Sequence, residues 1–204
     1  MTDLDVNAAR PLGAIDTGYT GPIGAAMSQF SSEYMTHIEA ALDEDYQRVP
    51  DRILALLRST DELVQGFQVT QLGHGLQTAT MAERAGADLD MVVASLCHDM
   101  GKVISNANHP AIAAEMIRPW VSDESYWVVK VHQDFEGMHY YARIGLDPMM
   151  RLKHEGHPCY GLAERFADEW DQNAFDPDYD TLPLEHFEPM IREVFGRPPR
   201  QRPA

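Results

Sequence analysis

Apolar residues recur every three to four positions along most of the chain, and no useful stretch alternates with period two. That pattern predicts helices and no sheet. After Ser31 and Ser32, which suit helix N-caps, Tyr34, Ile38, Ala41 and Leu42 fall on one helical face and predict a helix over 31–46. Pro50 opens a second, whose Ile53, Leu54, Leu56, Leu57 and Leu63 run toward Gly66. A third spans 71–85 and stops at Gly86, and Asp88 caps a fourth that Gly101 terminates. This fourth segment is almost wholly apolar, which places it at the centre of the fold. Further helices are predicted over 110–120, 122–145 with a break near Gly137, 158–171 and 183–195. The fold class is therefore all-α, an irregular multi-helix bundle.

Residues 1–28 mix Gly, Pro and polar positions without a period and read as a partly flexible N-terminal arm. A single domain is expected over 29–196, with 197–204 as a C-terminal tail. No apolar run approaches the roughly 20 residues that cross a bilayer. The N-terminus also lacks the basic start and apolar stretch of a secretory signal, so the expectation is a soluble, cytoplasmic protein. Two cysteines, Cys97 and Cys159, form no CxxC pair and read as small buried hydrophobes. Thirty-two acidic residues against 16 basic ones give a net charge of −16. Such a charge repels nucleic acid and anionic membranes, leaving a small-molecule substrate as the expected partner. Oligomeric state is not legible.

The sharpest chemical signal is His98-Asp99 at the end of the apolar fourth segment. A carboxylate there is costly unless it is paired or bound to metal. Neighbouring helical residues point about 100° apart, so the pair can serve one metal only near a helix end, or two metals if the carboxylate bridges. His74 lies on the preceding helix, where a short antiparallel connection would bring it beside His98. His109 precedes Pro110 at a helix start, and His132 sits among Val128, Val129, Val131 and Phe135. Asp171 follows Phe166, Ala167 and Trp170, with Asp168 close enough to compete for the same role. The other histidines, His37, His139, His154, His157 and His186, lack apolar partners at helical spacing and read as surface or loop residues. His154-Glu155-Gly156-His157 is one residue short of a metalloprotease HExxH. The acidic stretch 171–180 lacks the central glycine of a calcium loop.

The order His74, His98-Asp99, His109, His132, Asp171 resembles the HD-domain superfamily in its branch with six protein ligands and two metals. QLGHGLQTATMAERAGADLDMVVASLCHDMGK is similar to the corresponding stretch of the 2-amino-1-hydroxyethylphosphonate dioxygenase type, and HGLQTA to the first-ligand helix of the myo-inositol oxygenase type. EWDQNAF resembles the last-ligand helix of small HD-domain oxygenases and selects Asp171 over Asp168. The resemblance covers roughly 65–195. It implies a mixed-valent Fe(II)/Fe(III) pair bridged by Asp99, with His74, His98 and Asp171 on one iron and His109 and His132 on the other. The implied reaction is O2-dependent cleavage of a C–C or C–P bond in a small hydroxylated molecule. Lys102 matches a substrate-contacting lysine of the inositol enzymes and is the candidate catalytic residue, while Gln133, Asp134 and Tyr140 are candidate substrate contacts.

The chain also departs from those relatives. Only ten positions separate Asp99 from His109, a short connection. Phe175 and Asp168 stand where relatives carry lysine and arginine, and Val64 and Phe67 stand for a tyrosine and a glutamate. An anion bound as in those relatives would lose charge-assisted hydrogen bonds of about 1.5–3 kcal/mol each. The same ligands would accept manganese or another divalent metal, as in a phosphohydrolase acting on a small phosphate ester. A non-catalytic ligand-binding regulator is a third reading.

Overall fold

The structure, a computed structural model, describes residues 13–200, and all regular secondary structure among them is helical. The chain divides into two compact units, Met1–Tyr46 and Gln47–Ala204. In the first, residues 1–12 of the expected arm lie outside the described residues. Its one long helix, α1 (Ser32–Tyr46), begins where the Ser31 hydroxyl accepts the Tyr34 amide at 3.1 Å. The buried Tyr34 ring packs 5.0 Å from both Tyr19 and Phe30.

The second unit holds the remaining helices: α2 (Val49–Ser59), α3 (Gln71–Arg84), α4 (Leu89–Cys97), α5 (His109–Ile117), α6 (Asp123–Tyr140), α7 (Tyr160–Arg165) and α8 (Leu184–Phe195). Local chemistry sets the boundaries. Thr70, Asp88 and Ser122 each turn a side-chain oxygen onto an amide of the first turn of α3, α4 and α6. Every residue of α4 from Met91 to Cys97 is buried, as its composition predicts, and α4 packs against α3, α6 and α8. Around it gather Leu54 and Leu57 of α2, Ile117 of α5, Phe135 of α6, and Phe187, Ile191 and Phe195 of α8.

Three expected elements end differently. The sixth helix runs unbroken through Gly137, where the Tyr141 ring covers the missing Cβ, and gives way at Tyr141–Ile144 to a 3-10 turn closed by Gly145 at φ 76°. The second stops at Ser59, so Leu63 lies beyond it. The seventh is not one helix: α7 widens into a π turn at Phe166–Trp170, then tightens into a 3-10 turn at Asp171–Asn173. Residues 197–200 of the expected tail are tied down, Arg197 by Asp90 and the Arg200 amide by the Pro119 carbonyl. Residues 201–204 lie outside the described residues. Cys97 is fully buried, but Cys159 is only partly so. No helix among the described residues is long and apolar enough to cross a membrane.

Gly101 allows the closest backbone approach near the fourth helix's end. A Cβ there would run into the His109 carbonyl and lie 3.0 Å from the His109 Cα. Gly101→Ala is expected to cost about 1–3 kcal/mol, as overpacked cores do, measurable as a lower urea midpoint. The same displacement moves His109, so metal content should fall with stability.

Candidate metal centre

Five segments bring the six expected side chains together. The Thr70 cap starts α3 one turn before His74, which is 1% exposed. The α-helix ends at Cys97, and the backbone turns at Asp99 (φ −104°, ψ −1°) into a 3-10 turn at Met100–Val103. That change of winding aims two consecutive side chains, His98 and Asp99, into one space. His109 opens α5, and His132 faces inward from α6. The π turn before Asp171 swings its carboxylate toward the same point, leaving it 1% exposed.

Each imidazole is oriented by a backbone carbonyl. Nδ1 of His74 donates to Ala174 (3.0 Å), that of His98 to Ser95 (2.7 Å), that of His109 to Asn106 (2.8 Å) and that of His132 to Val129 (2.7 Å). A carbonyl can only accept, so Nδ1 carries the proton and Nε2 presents a lone pair. These lone pairs face one another: His74 and His98 Nε2 are 3.1 Å apart, His109 and His132 Nε2 3.3 Å. The carboxylates add only more acceptors. Both Asp171 oxygens and Asp99 Oδ1 are buried without a hydrogen-bond partner, although Asp171 Oδ1 is 3.0 Å from His74 Nε2. With the imidazoles in their neutral form, these converging lone pairs are the donor set that cations satisfy.

Asp99 divides the cluster. Its Oδ2 lies 3.4 Å from His74 Nε2 and 3.5 Å from His98 Nε2, whereas Oδ1 lies 3.0 Å from His109 Nε2 and 3.5 Å from His132 Nε2. One carboxylate oxygen therefore serves each histidine pair. His74, His98 and Asp171 form one group with ligand atoms all within 4.8 Å, and His98, Asp99 and His132 form another.

The family model of the HD domain matches residues 72–175, which span all six side chains. The chain belongs to the HD-domain family. No curated protein matches it. Members of the family are generally metal-dependent enzymes, and the histidine and aspartate groups of this HD domain are able to hold metal.

Electrostatics of the metal-free HD domain tie metal loading to pH. Burial disfavours charge on His98, but the facing Asp99 and Asp171 carboxylates and the Ser95 carbonyl outweigh it and raise the imidazole to about 9. A cation must displace that proton. Below pH 9 metal affinity is accordingly expected to fall by about tenfold per pH unit through this group alone. Metal titrations between pH 6.5 and 9 would check it, and a flat profile would contradict it. His132 is pushed down by burial and stays neutral. Burial opposes ionisation of Asp171, yet His98 and His74 hold its carboxyl far below the usual range.

A cavity of about 600 Å³ opens onto the centre. Lys102 lines it and donates to Asp99 Oδ2 and, at 3.0 Å, to Gln71 Oε1. Gln133 and Tyr140 line it as expected. Asp134 does not: its Oδ2 is engaged by Lys153 (2.8 Å) and His154 (2.9 Å), one helical position round from Gln133. All five histidines expected at the surface have partners: His37 bonds the Thr17 carbonyl and His186 the Glu83 carboxylate, both at 2.9 Å. His139 bonds Asp168 at 2.7 Å, His154 stacks on Phe135, and His157 stacks on Trp127 at 3.7 Å.

Sequence reasoning passed over several residues of this HD domain. Arg151, 4% exposed, grips Asp168 with both amino nitrogens (2.7 and 3.1 Å) and the Phe135 carbonyl. It thereby anchors the π turn that presents Asp171. Phe175 stacks on His74 at 4.4 Å, and Phe67 stacks on Phe175 at 4.8 Å, so two rings screen one face of the ligand. Glu136 lines the cavity one turn beyond His132; the i, i+4 spacing was the signal available for it.

Proposed function

We propose that this HD-domain protein is a non-haem di-iron oxygenase that cleaves a C–C or C–P bond in a small hydroxylated organic substrate. The observation that carries the reading is Asp99, with one oxygen turned to His74 and His98 and the other to His109 and His132. On this reading His74, His98 and Asp171 would hold one iron and His109 and His132 the other, with the Asp99 carboxylate shared between them. Imidazole and carboxylate donors suit redox-active iron, which when bound supplies Lewis acidity and O2 activation.

The chain's own groups have separable tasks. Four backbone carbonyls fix the imidazole tautomers, and Phe175 and Phe67 keep water from the His74 ring. Lys102 Nζ lies between Asp99 and the cavity, placed to exchange a proton with a substrate hydroxyl. Gln133 and Tyr140 supply neutral hydrogen-bonding groups from the α6 wall. The cavity volume suits a small molecule, and the charge of −16 argues against a polynucleotide. A cytoplasmic location is part of the same proposal.

The position of Lys102 against Asp99 also suits a phosphohydrolase using manganese or another divalent ion. Against that, Lys102 and Arg143 are the only lysine or arginine among the cavity's lining residues, few for a phosphate ester. Anaerobic purification, metal analysis and low-temperature EPR after partial oxidation test the choice. Two irons, a mixed-valent signal and substrate-dependent O2 uptake are expected. Manganese with phosphate release from generic esters, and no O2 uptake, would replace the oxygenase reading by the hydrolase one.

A further inference from the structure

His74, Phe175 and Phe67 form a short column of rings. The Phe175 ring lies 4.4 Å from His74 at an interplanar angle of 18°, and Phe67 lies 4.8 Å from Phe175 at 29°. Both phenylalanines line the cavity that opens onto the metal centre. The column is anchored at one end by a ligand of that centre and left open at the other, where Phe67 is 45% exposed. Single exposed apolar side chains are ordinary on a protein surface, so exposure alone assigns nothing to this ring. The backbone that carries it is less ordinary. Gln65 has φ 52°, the one positive φ outside glycine among the described residues, and Gly66 follows at φ 85°. These two left-handed residues close a tight turn in which the Phe67 amide donates to the Val64 carbonyl at 3.0 Å. At the base of the loop the Gln71 amide donates to the Leu63 carbonyl at 2.8 Å. A residue with a side chain is disfavoured in the left-handed region, and such strain persists where the surrounding structure enforces it. What the turn achieves is to set Gln65 and Phe67 on the cavity wall.

Much of the remaining wall is polar. From α6 and the turn after it come Gln133, Glu136, His139, Tyr140 and Arg143. His139 is taken by Asp168, whereas Glu136 and Arg143 form no hydrogen bond or ion pair among the described residues. One acid and one base are opposite in sign, so this wall singles out neither a cation nor an anion. The aromatic wall is the selective one. Its rings present a flat π face, and such a face favours another ring by offset stacking, beyond the gain from buried area. A cavity of about 600 Å³ has room for a ring together with a hydroxylated carbon.

We propose that Phe67 and Phe175 form an aryl-binding subsite, so that the substrate of the proposed oxygenase carries an aromatic ring beside its hydroxylated carbon. The word substrate rests on the oxygenase reading, but the test reads binding alone. Protein purified anaerobically with its metal is titrated under nitrogen with 1-phenylethane-1,2-diol, 1-cyclohexylethane-1,2-diol and propane-1,2-diol, and binding is followed by calorimetry. The phenyl diol is expected to bind at least about tenfold more tightly than propane-1,2-diol, through the apolar surface it buries. It is expected to bind about threefold to tenfold more tightly than the cyclohexyl diol, the range of one stacked aromatic pair. The second comparison decides, because a cyclohexyl group offers no less apolar surface but has no π face. In Phe67→Leu, which keeps an apolar side chain, the preference for phenyl over cyclohexyl should vanish while metal content and the far-ultraviolet circular dichroism spectrum are unchanged. Equal or tighter binding of the cyclohexyl diol by the wild-type protein would overturn the proposal without any variant. So would a phenyl preference that survives Phe67→Leu, or no measurable binding of the phenyl diol. Selective binding of the phenyl diol without O2 uptake would leave the subsite standing and count against the oxygenase reading.

Discussion

Asp99→Ala is expected to purify with at most one metal ion per chain in place of two, and without activity. The two sides of the centre are unequal once the shared carboxylate is gone. His74, His98 and Asp171 still offer three donors within 4.8 Å, enough for one weakly held ion. His109 and His132 keep no carboxylate, and the His98 imidazole beside His132 already belongs to the other group, so that side should empty. The Lys102 ammonium keeps Gln71 as a partner but loses the stronger one. Because α4 is anchored by Met91, Val92, Val93 and Leu96, far-ultraviolet circular dichroism should remain helical. Elemental analysis of anaerobically purified protein reads the result directly. Two ions retained in the Asp99 variant would be incompatible with a bridging carboxylate and would remove the chief support for a dinuclear centre.

The helices were legible because burial imposes a period. The α4 segment carries no polar residue between Met91 and Leu96 except Ser95, whose hydroxyl returns to the Met91 carbonyl. Its central position follows from composition alone. Likewise His74, His98, His109 and His132 stand out as polar residues on apolar faces, which is a local property of the sequence. Asp171 was harder, since a straight helix over 158–171 gives Asp168 and Asp171 similar claims. The choice is made by Arg151, which comes from a different segment, takes Asp168 and braces the π turn. No local pattern announces that partnership. Asp134 was misplaced for a related reason: periodicity puts it beside Gln133, but the Lys153 and His154 side chains that claim it belong to a separate 3-10 turn at Met150–His154. The break expected at Gly137 also failed: the Tyr141 ring, one turn further along the chain, fills the space a side chain would occupy. What was lost at Asp171 and Asp134 is a pairing between distant segments, whereas what was recovered is burial along one segment.

Removing metal with a chelator is expected to lower the melting temperature by about 8–16 °C at pH 8. The metal-free cluster keeps Asp99 and Asp171 buried at 4% and 1% exposure, with carboxylate oxygens that lack hydrogen-bond donors. Bound cations remove that penalty, and an ion present at 1,000 times its dissociation constant stabilises the folded state by about 4 kcal/mol. For a chain of this size each kcal/mol corresponds to about 2–4 °C, which gives the stated range. The pH dependence has a definite sign. His98 titrates at about 9 in the metal-free protein, above its ordinary value. The proton on it therefore stabilises the metal-free fold fully below pH 6.5, and that contribution is lost as pH rises through 9. Metal replaces the proton, so the difference between loaded and stripped protein should widen from pH 6.5 to pH 9. Calorimetric scans of both forms across that interval provide the check. A difference that is absent, or that narrows with rising pH, would mean that the imidazole and carboxylate cluster stabilises the fold without binding metal.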